Sequence, residues 1–195
     1  MRWLLEQIVQ CIESFFNTSD ELTHKVYNEA ALQHELGYWL RLNLPTSTRI
    51  QFERPANYFY PEAHSLVKKE IDIVVSIPEA NKHYAIELKC PRQGQHPEQM
   101  FKASQDLQFL EQLVHSGFAG GIFIIHVVHP LFYQNGSSEG IYGHFRAGRP
   151  LEGIITKPTG AKDQVASLKG CYHVTWQTCS ENGRYWIQPI QMLSE

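Results

Sequence analysis

Four ionisable residues fall at spacings that could do chemistry: Glu70 and Asp72 in EIDIVV, and Glu87 and Lys89 in YAIELK. On a pleated strand residues two apart share a face. Tyr84, Ile86 and Leu88 therefore point one way, and Ala85, Glu87 and Lys89 the other. PEAN, between the two segments, is a tight hairpin signal. If PEAN is a four-residue loop, Ile77 pairs with Lys82, Asp72 lies opposite Glu87, and Glu70 lies opposite Lys89. A one-residue slip would send the two carboxylates to different faces. Carboxylates that face each other repel unless positive charge lies between them. Mg²⁺, which takes one or two carboxylates together with waters and phosphate oxygens, would supply that charge. The plainer alternative is a Glu70–Lys89 salt bridge on a wet strand face. Both strands, however, run on into Val74, Val75, Ala85 and Ile86, apolar on each face, as a central hairpin would. Charge buried there without a partner is expensive.

The elements that must position these residues read as follows. RWLLEQIVQCIESFF spaces Leu4, Ile8, Ile12 and Phe16 as an amphipathic helix. After NTSD, a helix-start cluster, the spacing predicts a second helix over 21–44 with Leu32, Leu36, Trp39 and Leu40 on one face, ended by Pro45. TRIQFERP, KEIDIVVSI and KHYAIELK read as strands. PEQMFKASQDLQFLEQLVHSG is a third helix whose buried stripe is Met100, Ala103, Leu107, Leu110 and Val114, with Gly117 at its end. GGIFIIHVV is a fully buried strand. Residues 130–150 are rich in turn formers and read as a loop insertion. The segment 170–190 reads as a closing hairpin turning at SENG, with Trp176 and Trp186 available to pack.

Composition narrows the function classes. The 195 residues are 43% hydrophobic and 19% charged, which suits one folded domain rather than a disordered chain. No apolar run approaches membrane-spanning length. Four cysteines (Cys11, Cys90, Cys171 and Cys179) form no CxxC pair, and the first helix holds two glutamates, unlike a secretion signal. The expectation is a reduced, cytoplasmic chain. Two zinc alternatives, Cys171-x-His173 with Cys179 and the His126-x-x-His129 pair, lie on strand-like segments without the usual ligand spacing. A net charge of -3 argues against a chain that grips nucleic acid unaided, because phosphate neutralisation supplies most of that affinity.

Asp72, fourteen residues, then Glu87-Leu88-Lys89, followed by a helix and a buried strand, resembles the PD-(D/E)XK nuclease superfamily, the restriction-endonuclease-like proteins. The resemblance covers about Glu21 to Val128, in the family's order of helix, three strands, helix, strand. Ile71 stands where the family name has proline, a position the family keeps loosely. The fold implied is α/β, a restriction-endonuclease-like core with a central mixed β-sheet flanked by helices in α-β-β-β-α-β order, plus an extra C-terminal β-hairpin. The chain then forms a single domain over 1–195, with an N-terminal helix at 1–18, the core at 21–128, the insertion at 130–150 and the hairpin at 170–190. The family also tends to carry a glutamate on the helix before the sheet, here Glu29 or Glu35. At about 100° per residue, Glu29 lies about 20° from Leu36 on the apolar face and Glu35 about 100° away, so Glu29 is the choice. Its plainer role is a helix-start carboxylate favoured by the dipole.

The activity implied by the resemblance is metal-dependent hydrolysis of phosphodiester bonds in nucleic acid, a DNA endonuclease of prokaryotic defence, repair or recombination. Glu29, Asp72, Glu87 and Lys89 would be the catalytic set. Asp72 and Glu87 would ligate Mg²⁺, or Mn²⁺ in its stead, with the Leu88 carbonyl as a third ligand. Lys89 would orient or deprotonate a water or stabilise the transition state, and Glu29 would hold a water or a second ion. Arg92, Gln93, Gln95, Gln99, Lys102 and Gln105 are further polar candidates near the strand end and on the next helix. The loop with His144, Arg146 and Arg149 is the candidate for contacting a nucleic-acid backbone. A homodimer or a partner protein would supply part of the grip on DNA. The alternatives are a catalytically inactive module of the same fold that binds nucleic acid or protein, and an unrelated α/β domain in which the charges are structural.

Overall fold

A computed structural model describes residues 2–18, 26–61, 66–92, 94–134, 136–160, 163–179 and 183–192. It is an α/β protein: two N-terminal helices, a six-stranded mixed sheet with a long helix on its other face, and a separate β-hairpin. Helix α1 (Arg2–Asn17) and helix α2 (Glu29–Asn43) precede strand β1 (Arg49–Pro55). Strands β2 (Glu70–Ile77) and β3 (Lys82–Lys89) form the predicted hairpin, and helix α3 (His96–His115) crosses over to strand β4 (Gly120–Val127). A short helix α4 (Tyr142–Arg146) follows, then β5 (Leu151–Thr156), β6 (Val165–Tyr172), β7 (Gln177–Thr178) and β8 (Arg184–Ile190). Among the described residues no helix is long and apolar enough to cross a membrane.

The sheet order is β1-β2-β3-β4-β8-β7, with β3 and β4 parallel and the remaining pairs antiparallel. Parallel neighbours need a long crossover, and α3 provides it. Ile77 pairs with Lys82, and the register runs unchanged to Ile73 opposite Ile86, as the four-residue loop predicts. The loop is a 3₁₀ turn over Pro78–Ala80 closed by Asn81 in the left-handed region, a conformation asparagine tolerates.

Two cores lie on opposite sides of the sheet. On one, α1 and α2 cover Ile73, Val75, Tyr84, Ile86, Leu88, Ile122 and Ile124. On the other, α3 and the β5–β6 hairpin cover Val74, Ala85, Phe123, Ile125 and Trp186. The predicted α3 stripe of Met100, Ala103, Leu107, Leu110 and Val114 is buried throughout, and all eight residues of β4 are buried. Helix α2 approaches the sheet closely at Gly37, where a Cβ would lie 2.3 Å from the Phe52 ring.

Three expectations need correction. The second helix starts at Glu29, because the Asn28 side chain accepts from the Ala31 N–H and caps it there; residues 19–25 of the expected helix lie outside those described. The 130–150 insertion is not a bare loop. It holds a 3₁₀ turn over Pro130–Phe132 and α4, whose buried Phe145 joins the α3-side core. The 170–190 hairpin divides: Cys171 and Tyr172 end β6, which pairs with β5 in the two-stranded sheet, while β7 and β8 make a shorter hairpin. Strand β8 then adds to the main sheet beside β4, burying Trp186.

Polar side chains of α3 clamp the β5–β6 hairpin: Glu98 holds Lys157 and Thr159, Gln108 accepts from the Ser167 N–H, and Glu111 takes the largest share. Glu111 accepts from the Lys169 and Gly170 N–H groups, at 2.9 and 2.7 Å, and from the buried Tyr172 hydroxyl at 2.7 Å. Three donors on one anion are strong because the acceptor is charged. Removing it leaves a buried hydroxyl without its acceptor. Glu111→Ala should therefore lower unfolding free energy by about 2 kcal/mol in urea titration, and should speed amide exchange at residues 169 and 170 before that of β4.

Candidate active site

The site forms where the central hairpin opens. Pairing of β2 with β3 ends at Ile73 opposite Ile86. Beyond that point β2 stays with β1 as far as Glu70, and β3 stays with β4 as far as Lys89. The backbone groups freed by the fork turn to carboxylates instead. The Leu88 N–H donates to Asp72 Oδ2 at 2.7 Å, and the Asp72 N–H donates to Glu87 Oε1 at 3.3 Å. The two acids therefore face each other across the fork, each bonded to the opposite strand.

Asp72 is also fixed from the far side. Opposite it Glu53 takes a left-handed backbone, φ +48°, a costly conformation inside a strand. The Asp72 carbonyl accepts instead from the Gln33 amide of α2 at 2.8 Å, and the same amide reaches Glu53 Oε1 at 2.5 Å. The lone glutamine thus ties α2 to both strands beside the site.

Glu87 has no exposed surface, Asp106 of α3 is 2% exposed, and Lys89 is 9% exposed. Two ammonium groups lie among these carboxylates. Lys68 Nζ bonds Glu87 Oε2 and, at 2.8 Å, Asp106 Oδ1. Lys89 Nζ lies 3.0 Å from Asp106 Oδ2, 3.6 Å from Glu29 Oε1, and donates to its neighbour's carbonyl, Leu88 O, at 3.0 Å. Asp106 thus holds one lysine on each oxygen, although its Oδ2 makes no well-directed hydrogen bond. Glu29, the first residue of α2, also accepts from the Cys90 N–H at 3.2 Å, with its side chain 47% exposed.

Burial pushes the Asp72 carboxyl up to about 6, against the pull of Lys68, the Leu88 N–H and Lys89. Burial also raises Glu87 well above the carboxylate range, helped by Asp72 and Asp106 and opposed by Lys68. Burial alone would lower both lysines. Glu87, Asp106 and Asp72 outweigh it at Lys68, and Asp106 and Glu29 do so at Lys89, so both are held above the usual lysine value.

All four residues of the predicted catalytic set, Glu29, Asp72, Glu87 and Lys89, meet here. Glu35 does not; its carboxylate pairs with His34 at 3.1 Å. Glu70 does not bridge to Lys89, for it is exposed at the start of β2 opposite Pro55. Sequence reasoning missed Lys68 and Asp106. Asp106 was legible in principle: it stands three residues after Ala103 and four before Leu110, on the buried stripe of α3. Of the other helix candidates, Lys102 is exposed and Gln99 and Gln105 are half-buried.

The arginines expected to meet nucleic acid are engaged within the chain. Arg92 donates to the Val26 and Tyr27 carbonyls, Arg146 to those of Leu131 and Ser137, and Arg149 to that of Gly140. His144 Nδ1 sits 2.7 Å from the Pro150 carbonyl. These groups hold loops in place. Gln93 lies outside the described residues, and Gln95 is exposed at the start of α3.

Among the described residues no group of three or more His, Cys, Asp and Glu side chains converges on a metal-sized position. Neither zinc alternative forms. Cys171 and His173 are 3.9 Å apart on the surface, while Cys179 packs against His126 instead. His126 lies between two sulfurs, with Cys90 Sγ 3.7 Å from Nδ1 and Cys179 Sγ 3.6 Å from Nε2, on opposite edges of the ring. No family model, characterised protein or solved structure matches the chain.

His126 makes a pH prediction. Burial, with a smaller push from Arg92, lowers its pKa to about 4. The unfolded value is about 6.5, so its neutral burial contributes stability that is complete above pH 6.5 and is lost as pH falls through 4. Against wild type, His126→Gln should lose about 3 kcal/mol less stability between pH 7 and pH 4. Denaturant titrations of both proteins at the two pH values check this, and parallel pH profiles would disprove it.

Proposed function

We propose that the chain is a divalent-cation-dependent nuclease of restriction-endonuclease-like architecture, hydrolysing phosphodiester bonds, with DNA as its substrate. The observation that carries this reading is the meeting of Asp72 and Glu87 across the fork of β2 and β3, with Lys89 and Glu29 beside them. Support also comes from the element order, helix, three strands, helix, strand, around a mixed sheet.

The donor set suits Mg²⁺ or Mn²⁺: two carboxylates and the Leu88 carbonyl are hard oxygen ligands, and the sulfur of nearby Cys90 lies against His126. A bound cation would supply charge to the scissile phosphate and lower the pKa of a water. The remaining work belongs to the chain. Asp106 aims the Lys89 ammonium, which can stabilise negative charge developing on phosphate oxygens. Glu29, half exposed at the rim, can accept a hydrogen bond from an incoming water and orient it. Buried carboxylates in a low-dielectric fork also strengthen each of these electrostatic contacts. Because Arg92, Arg146 and Arg149 are engaged by carbonyls of the chain itself, a second copy or a partner protein would complete the grip on the nucleic-acid backbone.

A second reading, a non-catalytic module of the same architecture that binds nucleic acid or protein, is favoured by one observation: Lys68 already neutralises Glu87. Incubating the protein with plasmid, single-stranded DNA and RNA, with and without Mg²⁺ or Mn²⁺, separates the two. The nuclease reading expects cation-dependent cleavage that falls at least about 10²-fold in Glu87→Gln and in Lys89→Ala. Cleavage that persists in both variants, or that appears on no substrate with either cation, would sink it.

A further inference from the structure

Lys68 and Asp106 both belong to the site but not to the expected catalytic set, and while Asp106 aims Lys89, Lys68 has no part in the proposed chemistry. It lies just before β2, its backbone neighbours held by bonds from Val67 N–H to Gln112 Oε1 and from Ala56 N–H to the Lys69 carbonyl. Its side chain is 31% exposed, yet its ammonium ends on two carboxylates that are 0% and 3% exposed. Those carboxylates belong to different elements, Glu87 on β3 and Asp106 on α3. Lys68 therefore enters from the open side of the site and ends where repulsion between Glu87, Asp72 and Asp106 most needs a positive charge.

We infer that Lys68 is a tethered counter-ion that occupies the cation's place in the free protein, so that a divalent cation binds by displacing its ammonium from Glu87. This rests on the reading of Asp72 and Glu87 as a cation site. Three features support displacement rather than permanent residence. An ammonium and a divalent cation sharing one buried carboxylate repel each other strongly at such range. Lysine is a flexible stem carrying a point charge, without the rigid fork that locks an arginine to its carboxylate. The ammonium also has somewhere to go. It already lies 5.6 Å from the centroid of the Phe109 ring, a face that attracts cations, and its stem reaches solvent.

The consequence is self-restraint. Lys68 holds the place beside Glu87 at low cation concentration, and a cation must compete with an intramolecular charge whose effective concentration is high. Lysine is thus a device that raises the cation concentration at which the site loads.

The test measures binding, not cleavage. Mn²⁺ is titrated into the full chain without nucleic acid, following free Mn²⁺ by electron paramagnetic resonance, in wild type, Lys68→Met, and Lys68→Met combined with Glu87→Gln. Lys68→Met should bind at least about tenfold more tightly than wild type, and the added Glu87→Gln should abolish that gain. Equal or weaker binding by Lys68→Met, or none at all, would overturn the inference. Should Lys68→Met fail to fold, the wild type decides. Saturating Mn²⁺ should raise the reactivity of Lys68 towards an amine acylating reagent several-fold, read by mass spectrometry, while other lysines stay constant. Unchanged labelling of Lys68 would overturn the inference too. Tighter binding in Lys68→Met without cleavage of any nucleic acid would sink the nuclease reading alone. Cation-dependent cleavage by a wild type whose Lys68 labelling does not respond would sink the inference alone.

Discussion

A carboxylate with no exposed surface, Glu87, sets the terms for everything around it. Moving an ionised carboxylate out of water costs several kcal/mol even after relaxation, and a charge partner about 3 Å away returns roughly 5 kcal/mol at an effective dielectric of 20. One partner therefore brings the charge close to break-even and no further. Asp72 and Asp106, on the same side of the sheet, each worsen the balance at Glu87. Two lysines and a set of freed backbone N–H groups are what the fold assembles in response. Lys68 answers Glu87, both lysines answer Asp106, and the Leu88 N–H answers Asp72. Lys68 comes from the segment before β2, the Leu88 N–H and Lys89 from β3 and Asp106 from α3, so the charge problem at one residue bears on the packing of several elements.

The fork in the sheet is what makes this assembly possible. Within a continuous ladder the N–H groups of Asp72 and Leu88 would be committed to neighbouring strands. Because β2 and β3 part company after Ile73 and Ile86, those groups are free to bond side chains. The left-handed kink at Glu53 continues the same logic on β1, releasing the Asp72 carbonyl to Gln33. Helix α2 brackets the fork on one face through Glu29 and Gln33, and α3 brackets it on the other through Asp106. Both helices are anchored by apolar contacts with the sheet, Leu32 and Leu36 from α2 and Ala103 and Leu107 from α3. The site thus inherits its rigidity from two independent cores.

The strands and helices of the centre were legible because they are periodic. The register of β2 with β3 followed from one turn, and with it the facing of Asp72 and Glu87; Glu29 was chosen on the resemblance and its place on the apolar helical face, yet it stands exposed at the first position of α2 and not on a buried stripe. What escaped the sequence escaped for specific reasons. Lys68 stands in an irregular segment where no periodicity assigns a face, and its role depends on α3, 38 residues away along the chain. Asp106 carried a usable signal, a charge on an apolar stripe, but Gln105 and Lys102 are polar at neighbouring positions of the same helix and read much the same in sequence. The β5–β6 strands each keep one wet face and include Gly153 and Gly170, so their pattern is weak. The carbonyl partners of Arg92, Arg146 and Arg149 were not legible because a guanidinium reads the same in sequence whether it meets a phosphate or a loop carbonyl.

Burial within the site is graded rather than uniform, and the gradient bears on its purpose. A buried ion network kept only for stability gains nothing from contact with water, and well-packed apolar side chains of similar volume often serve as well or better. Sealing every member would then be the favourable arrangement. Here the acids Glu87 and Asp106 are sealed, Lys89 is almost so, and Lys68 and Glu29 are open to solvent at 31% and 47% of their side-chain surface. Lys68 and Glu29 are thus charged residues partly open to solvent beside the buried acids. Buried acids flanked by partly exposed charged residues suit the proposed exchange of a small cation with the Lys68 ammonium.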